Sequence, residues 1–292
     1  MRKLSKSVAA TLILGVFLAL ASCEKPLEQT DHEVFFKMGN DYAFRFDDIA
    51  LYDSSTHILY FKEPQSGFDE LLQGQFAFFD NGDTIYSGTI VPGYSSYIPA
   101  GPIIFSEPYI YSNYALRIEL WMGNQPDMRN SPRLIDILKE HNLLHSGLSA
   151  VVDLVEMNAN ELSFRFTVTN RDLTDLLIID INKTGPGLFH FFTNGLYLRD
   201  KDHNEVFSST IEHQTPEPWN EWKTEWLSAI KSGESKSFTI NYPLDTPVNP
   251  GEYRLLFEFP GLAYQVSKEE LYQGNERIWL GDITLRKNII VP

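Results

Sequence analysis

The side chains that could do chemistry are scattered along this chain. Asp200-Lys-Asp202-His-Asn204-Glu205 opens like a calcium loop, with oxygen donors at alternate positions. Its sixth position is Glu205, where such a loop turns on glycine, and its twelfth is Ile211, where a bidentate acid belongs. A polar hairpin tip is the expectation there. His141 and His145 are four apart, a spacing that puts two imidazoles on one helical face, but zinc needs a third ligand and Asn142 reads as a helix end. No metal site is expected among the seven histidines. His-Glu-x-x-His, Gly-x-Ser-x-Gly and a phosphate-cradling glycine loop are all missing. Cys23 is the only cysteine, so the rest of the chain has no thiol for catalysis or metal binding. The sequence therefore reads as a protein that is not an enzyme and needs no cofactor. A hydrolytic carboxylate pair is defined by separation in space, so an uncharacterised hydrolase stays as an alternative.

Two aromatic segments offer binding chemistry instead. Trp219, Trp222 and Trp226 fall at i, i+3 and i+7, with Ile230 continuing the series, which predicts one stripe of a helix. Such a stripe either packs a short helix on the body or presents an aromatic shelf to a glycan or a protein partner. Tyr94 and Tyr97 lie in Tyr-Ser-Ser-Tyr-Ile-Pro-Ala-Gly-Pro, where proline and glycine keep the backbone out of regular ladders. Loop tyrosines of this kind suit a binding surface and also pack over strand ends. A second run, Tyr109-Ile-Tyr111-Ser-Asn-Tyr114, follows.

The elements that must carry these residues are mostly strands. The clearest signal is Phe76-Ala-Phe-Phe-Asp-Asn81-Gly82-Asp-Thr-Ile-Tyr86, an Asn-Gly hairpin turn between aromatic strands. Ser131-Pro132 followed by Leu134, Ile135 and Leu138 predicts one helix near 131–142, with Ser131 as its cap. After Gly147 strand-like runs succeed one another, among them 161–170, 176–182, 252–259 and 278–291, with apolar residues alternating at Leu162, Phe164, Phe166 and Val168. The fold class expected is mostly β, with a strand-rich domain containing the helix at 34–147 and a second domain at 148–292. The runs 162–170, 197–206, Ser232-Gly-Glu and Pro250-Gly-Glu-Tyr-Arg-Leu-Leu-Phe resemble the immunoglobulin-like antiparallel β-sandwiches of bacterial envelope proteins, and also the BsuPI-type proteinase-inhibitor sandwich. The resemblance implies a fold for 148–292 and no activity.

The chain's first residues give its address. Arg2, Lys3 and Lys6 precede an apolar run from Val8 to Leu20, the layout of an export signal. The run is shorter than the roughly 20 residues a membrane span needs. Leu20-Ala21-Ser22-Cys23 resembles the lipobox of bacterial lipoproteins, of Bacteroidota type. The resemblance implies a signal peptide at 1–22, cleavage before Cys23, acylation at Cys23 (palmitate-class chains) and a lipidated tether at 23–33. Two or three acyl chains make such an anchor effectively permanent. Glu24 and Lys25 follow, without the Asp that commonly signals inner-membrane retention, so the outer membrane is the expected location, with either face open. Asp83-Thr84-Ile85 matches the Asp-Ser/Thr-apolar pattern of O-glycosylation in Bacteroidota, making Thr84 a candidate acceptor.

The formal charge is −15, and loss of the three basic residues of the signal would take it to about −18. That charge repels phosphate backbones and argues against nucleic acid as a partner. Two functions follow. One is a non-catalytic envelope lipoprotein, held by membrane lipid through Cys23, that binds a protein or serves as its accessory subunit. The other is a glycan-binding lipoprotein of a polysaccharide-uptake system.

Overall fold

The computed structural model describes residues 34–40, 42–68, 73–106, 112–121, 126–193, 195–209, 211–263 and 265–292. The expected signal, Cys23 and the tether lie outside the described residues, as do Tyr109 and Tyr111.

The architecture is mostly β. The first part contains β1 (Phe36–Met38), β2 (Tyr42–Phe44), β3 (Ile49–Asp53), β4 (Ile58–Phe61), β5 (Gly74–Asp80), β6 (Asp83–Pro92), β7 (Gly101–Ser106), β8 (Ala115–Arg117) and β9 (Glu119–Trp121). Helix α1 (Pro132–Glu140) and β10 (Leu144–His145) follow. These strands form a six-stranded sheet, β2-β1-β5-β6-β7-β9, and a four-stranded sheet, β10-β3-β4-β8. Aromatic rings from the two sheets meet in one core: Phe44 lies 4.6 Å from Phe61, and Tyr52 6.4 Å from Phe78. Leu134 and Leu138 of α1 cover that core. The helix starts where its sequence says, with Leu134 N–H donating to Ser131 Oγ and Pro132 in the first turn. The hairpin between β5 and β6 turns at Asn81 and Gly82, both at positive φ (51° and 87°), as Asn-Gly was expected to do.

The remaining elements are β11 (Leu148–Met157), β12 (Glu161–Asn170), β13 (Leu176–Ile179), helix α2 (Ile181–Phe191), β14 (Leu196–Arg199), β15 (Glu205–Ser208), β16 (Leu227–Ile230), β17 (Ser235–Pro243), β18 (Gly251–Pro260), β19 (Tyr272–Gln273), β20 (Glu276–Ile278) and β21 (Asp282–Val291). They form the sheets β11-β12-β17, β16-β13-β20-β19 and β15-β14-β18-β21. Leu162, Phe164, Phe166 and Val168 of β12 all point inward, and Phe166 meets Phe257 of β18 at 5.1 Å. Each such ring contributes roughly 1.5–3 kcal/mol by leaving water. This second core also takes in Leu51, Ile58, Tyr60, Tyr114 and Ala115 from the first set of strands.

Three sequence expectations change. The strand expected at 176–182 stops at Ile179, and α2 begins instead. Asp180 caps that helix, accepting from Asn182 N–H (2.9 Å), Ser228 Oγ and the Lys236 ammonium. The run expected as one strand over 278–291 is broken at Gly281, whose φ of 98° and contact with the Thr56 side chain leave no room for a Cβ. The sandwich expected at 148–292 is also not purely antiparallel, since β13 and β20 pair in parallel; in the first part β6 pairs β7 and β3 pairs β10 in parallel as well.

Candidate functional site

Among the described residues, an open groove lies where β5 begins and β6 ends. Gln73, Gln75 and Thr89 form one wall of a groove of about 760 Å³, and the loop after Pro92 carries Tyr94, Ser95 and Tyr97 along the other. The loop is held by its own bonds. Ser95 N–H donates to the Pro92 carbonyl (2.9 Å), and Ser95 Oγ donates to the Tyr97 carbonyl (2.7 Å). Pro92 and Pro99 restrict it further, since a proline ring locks φ. Beneath it Gly88 lets β7 lie close to β6, because a Cβ there would strike the Phe76 ring and the Pro102 carbonyl. Tyr94 and Tyr97 are 69% and 74% exposed, far above the tyrosines of the cores. Among the described residues, none lining the groove is charged. The described lining offers two ring faces, side-chain amides and hydroxyls.

The tryptophan segment is not a helix. Pro216 and Pro218 precede a stretch without regular structure, Thr224–Trp226 form one 3-10 turn, and 227–230 become β16. The override comes from β13, which pairs with β16 from Leu176↔Ile230 to Ile179↔Leu227 and draws the segment into a sheet. Helical spacing of tryptophans then has no face to define. Trp226 is buried against Phe192 at 6.1 Å, so it faces no ligand. Trp222 is half-buried against the second core, and Trp219 is 57% exposed. Thr84 is exposed near the start of β6, one residue past the turn strand's Asp83. Asp200 spends its carboxylate on the backbone N–H groups of Asp202 and Asn204, both 2.9 Å, which makes the hairpin tip. His141 stacks on Phe46 and His145 binds Asp172, so the two histidines do not converge. Tyr114 is buried and donates to the Val266 carbonyl (2.7 Å).

Two buried polar groups were invisible in the sequence. In the first, Arg277 of β20 is fully buried and donates through Nη2 to Asp53 Oδ2 and to Asp172 Oδ2, each at 2.9 Å. The Tyr60 ring lies 5.5 Å from its guanidinium. Burial alone would raise the Asp172 carboxyl, but the His145 hydrogen bond and the Arg277 charge bring it down to about 2. In the second, Tyr52 Oη and His57 Nδ1 share a 2.9 Å hydrogen bond, while Arg129 forks the Asp127 carboxylate. Burial first, then the Arg129 charge, lowers His57 to about 4. The imidazole is therefore neutral at ordinary pH, and its 3.9 Å approach to Asp127 is no ion pair. Neither group lies on the groove. Among the described residues, no set of three His, Cys, Asp or Glu side chains is placed to hold a metal ion.

No known protein family matches the sequence, and no curated protein does. Solved structures overlap it in part. The yjhA protein from Bacillus subtilis is 16% identical over 49% of this chain and 92% of its own length, with a TM-score of 0.24. A beta-glucosidase from Kluyveromyces marxianus shares 11% identity over 49% of this chain (TM-score 0.20), and one from Listeria innocua in complex with glucose shares 12% over 47% (TM-score 0.19). The matched portion spans only 14% and 16% of those two enzymes. At such scores the overlaps assign neither a shared family nor an activity.

Proposed function

We propose that this chain is a lipid-anchored, non-catalytic envelope protein that holds a neutral glycan in the Tyr94–Tyr97 groove. The observation that carries the reading is the pair of exposed tyrosine rings over a groove whose described lining carries no charge, in a chain whose formal charge is −15. Flat aromatic faces pack against the apolar faces of sugar rings, and amides and hydroxyls satisfy the sugar's own hydroxyls. An acidic or basic ligand would need a counter-charge that the groove's described lining does not contain.

The groove and the start of the described chain lie at opposite ends of β5. The described chain enters at Val34, and Phe35 bonds to Phe79 at the hairpin-tip end of β5. Gly74, at the far end of that strand, lines the groove. About 3.4 Å per residue puts the two ends roughly 17–20 Å apart. A tether leaving from the tip end would leave the groove facing away from the membrane.

Isothermal titration of the protein lacking its lipid against a panel of neutral oligosaccharides tests the groove. Tyr94→Ala and Tyr97→Ala should each weaken any bound sugar about tenfold while unfolding stability changes by no more than about 0.5 kcal/mol, as for surface positions generally. Equal binding by the double variant would move the ligand elsewhere. Radiolabelled palmitate incorporation, compared with Cys23→Ser, tests the anchor independently.

A further inference from the structure

A strand at the edge of a sheet presents unpaired N–H and C=O groups to any strand that reaches it. Among the described residues, β17 (Ser235–Pro243) ends the sheet β11-β12-β17 with its far side unpaired. Asn170 N–H donates to the Glu234 carbonyl and Leu244 N–H to the Asn160 carbonyl, each at 2.9 Å, so these bonds bracket the strand. The alternation of an antiparallel ladder between them turns the backbone of the even-numbered residues of β17 to β12. It turns the backbone N–H and C=O of Ser237, Thr239 and Asn241 outward, where among the described residues they meet no partner. The side chains of all three are exposed as well.

Folded proteins blunt their open edges by keeping them short, bulging them or charging them. Among the described residues, the other edge strands each show one of these devices. Strands β2, β8, β9, β10, β15, β16 and β19 have two to four residues each. The long edge strand β11 is bulged between Val152 and Leu154, and Lys287 Nζ donates to its Val152 carbonyl (3.1 Å). The long edge strand β21 carries Arg286 and Lys287 near its middle. Strand β17 has none of the three. It has nine residues, pairs with β12 without a bulge, and bears no charge from Ser237 to Pro243. An edge left long, regular and neutral is one that another strand can complete.

We propose that a second copy of this chain completes β17, the two strands lying antiparallel about a two-fold axis at Thr239. Thr239 is the midpoint of Ser235–Pro243, so this register overlaps the whole strand. Thr239 exchanges backbone bonds with its own counterpart, and Ser237 with the partner's Asn241, giving about six N–H···O bonds. The exposed side chains then meet as neutral pairs, hydroxyl beside hydroxyl at the axis and hydroxyl beside amide on either side. Charge does not oppose the register. Arg165 of β12 stands opposite Thr239, so the two copies' Arg165 would be three strand spacings, roughly 14 Å, apart. That exceeds the screening length of about 8 Å at physiological salt. Residues 24–33 of the same chain suit this neutral edge less well, since they include Pro26 and the charges of Glu24, Lys25, Glu28, Asp31 and Glu33. A single strand edge buries less than a standard interface, so the pair should dissociate at about 10–100 μM. Strand β17 takes no part in the tyrosine groove, so the proposal stands whether or not that groove binds a sugar.

Sedimentation velocity on the Cys23→Ser chain, which carries no lipid and no thiol, tests the pairing. The dimer fraction should rise with protein concentration, and also with salt, because salt screens the repulsion between two chains of formal charge −15. Thr239→Lys sets two ammonium groups against each other at the axis and should weaken the dimer at least about tenfold. Its side chain is exposed, so the melting temperature should stay within about 2 °C of the parent's. A cross-link then reads the register. In the Cys23→Ser chain, Thr239→Cys should oxidise to a disulfide dimer, since hydrogen-bonded partners stand about 5.5 Å apart at Cα. Asn241→Cys should not, because the two thiols would be roughly 14 Å apart along the strands. A parent that sediments as a monomer at every concentration would overturn the proposal. So would undiminished dimerisation by Thr239→Lys, or equal cross-linking at the two positions.

Discussion

The tyrosine groove and the Arg277 cluster are opposites. The groove exposes neutral side chains to water, holds its loop by local bonds between Pro92, Ser95 and Tyr97, and has no charge among its described lining residues. The cluster buries one cation and two carboxylates where no solvent reaches, and joins residues remote in sequence. By residue type alone the cluster is the better candidate for chemistry, having a histidine, two acids and an arginine together. Enclosure reverses that judgement. Burial keeps the cluster out of a ligand's reach even though Arg277 Nε has no hydrogen-bond partner among the described residues, whereas a tyrosine left in water is free to meet one.

The comparison is easiest to break at the cluster. Arg277→Met should cost roughly 3–5 kcal/mol, because Asp53 and Asp172 would be left buried without their cation. Urea denaturation of the parent and variant measures it, and a loss below about 1 kcal/mol would mean that water already compensates the charges. Acid should act next. The folded His57 is lowered from 6.5 to about 4, so the unfolded chain binds its proton more readily in between. Stability should therefore fall by roughly 2–3 kcal/mol as pH drops from about 6.5 to 4. His57→Asn, which tolerates the positive φ of 54° there, should flatten that slope in midpoint-against-pH measurements. Asp172 extends the decline. Its folded value of about 2 lies below the ordinary 3.8, so its contribution of about 2 kcal/mol is present above pH 4 and lost through pH 2. Asp172→Asn should remove that last segment of the acid profile. At the groove the smallest stability effect is expected: Tyr94→Ala and Tyr97→Ala should leave the urea midpoint almost unmoved.

Local chemistry was legible in the sequence and long-range chemistry was not. Asn81-Gly82, Ser131-Pro132 and the alternation through Leu162–Val168 each specify a conformation with neighbours a few residues away, and each forms as read. Tyr94 and Tyr97 were readable as loop residues for the same reason. Helix α2 was missed because Thr184-Gly185-Pro186-Gly187 reads as a turn. The chain does kink there, at a Gly185 φ of 73°, but His190 rescues the second half by bonding the Pro186 carbonyl (2.7 Å) and Tyr242 Oη (3.1 Å). The tryptophan spacing misled because strand pairing with β13 claims Leu227–Ile230 and leaves the helical period nothing to continue into after Trp226. Arg277 gave no local signal at all: Glu276-Arg277-Ile278 looks like any strand fragment until Asp53 and Asp172 are brought to it.

The Asp53–Arg277 bond spans 224 positions of sequence. A chain emerging from its amino end can pair β3 with β4 early, yet Asp53 then waits, a buried-to-be acid without its counter-ion, until nearly everything else has been delivered. Loop closure over such a separation is slow compared with hairpin formation. Final locking of this molecule is therefore a late event, and a chain whose delivery is interrupted anywhere short of β20 would keep its strand edges open to capture, by a chaperone or by another unfinished copy.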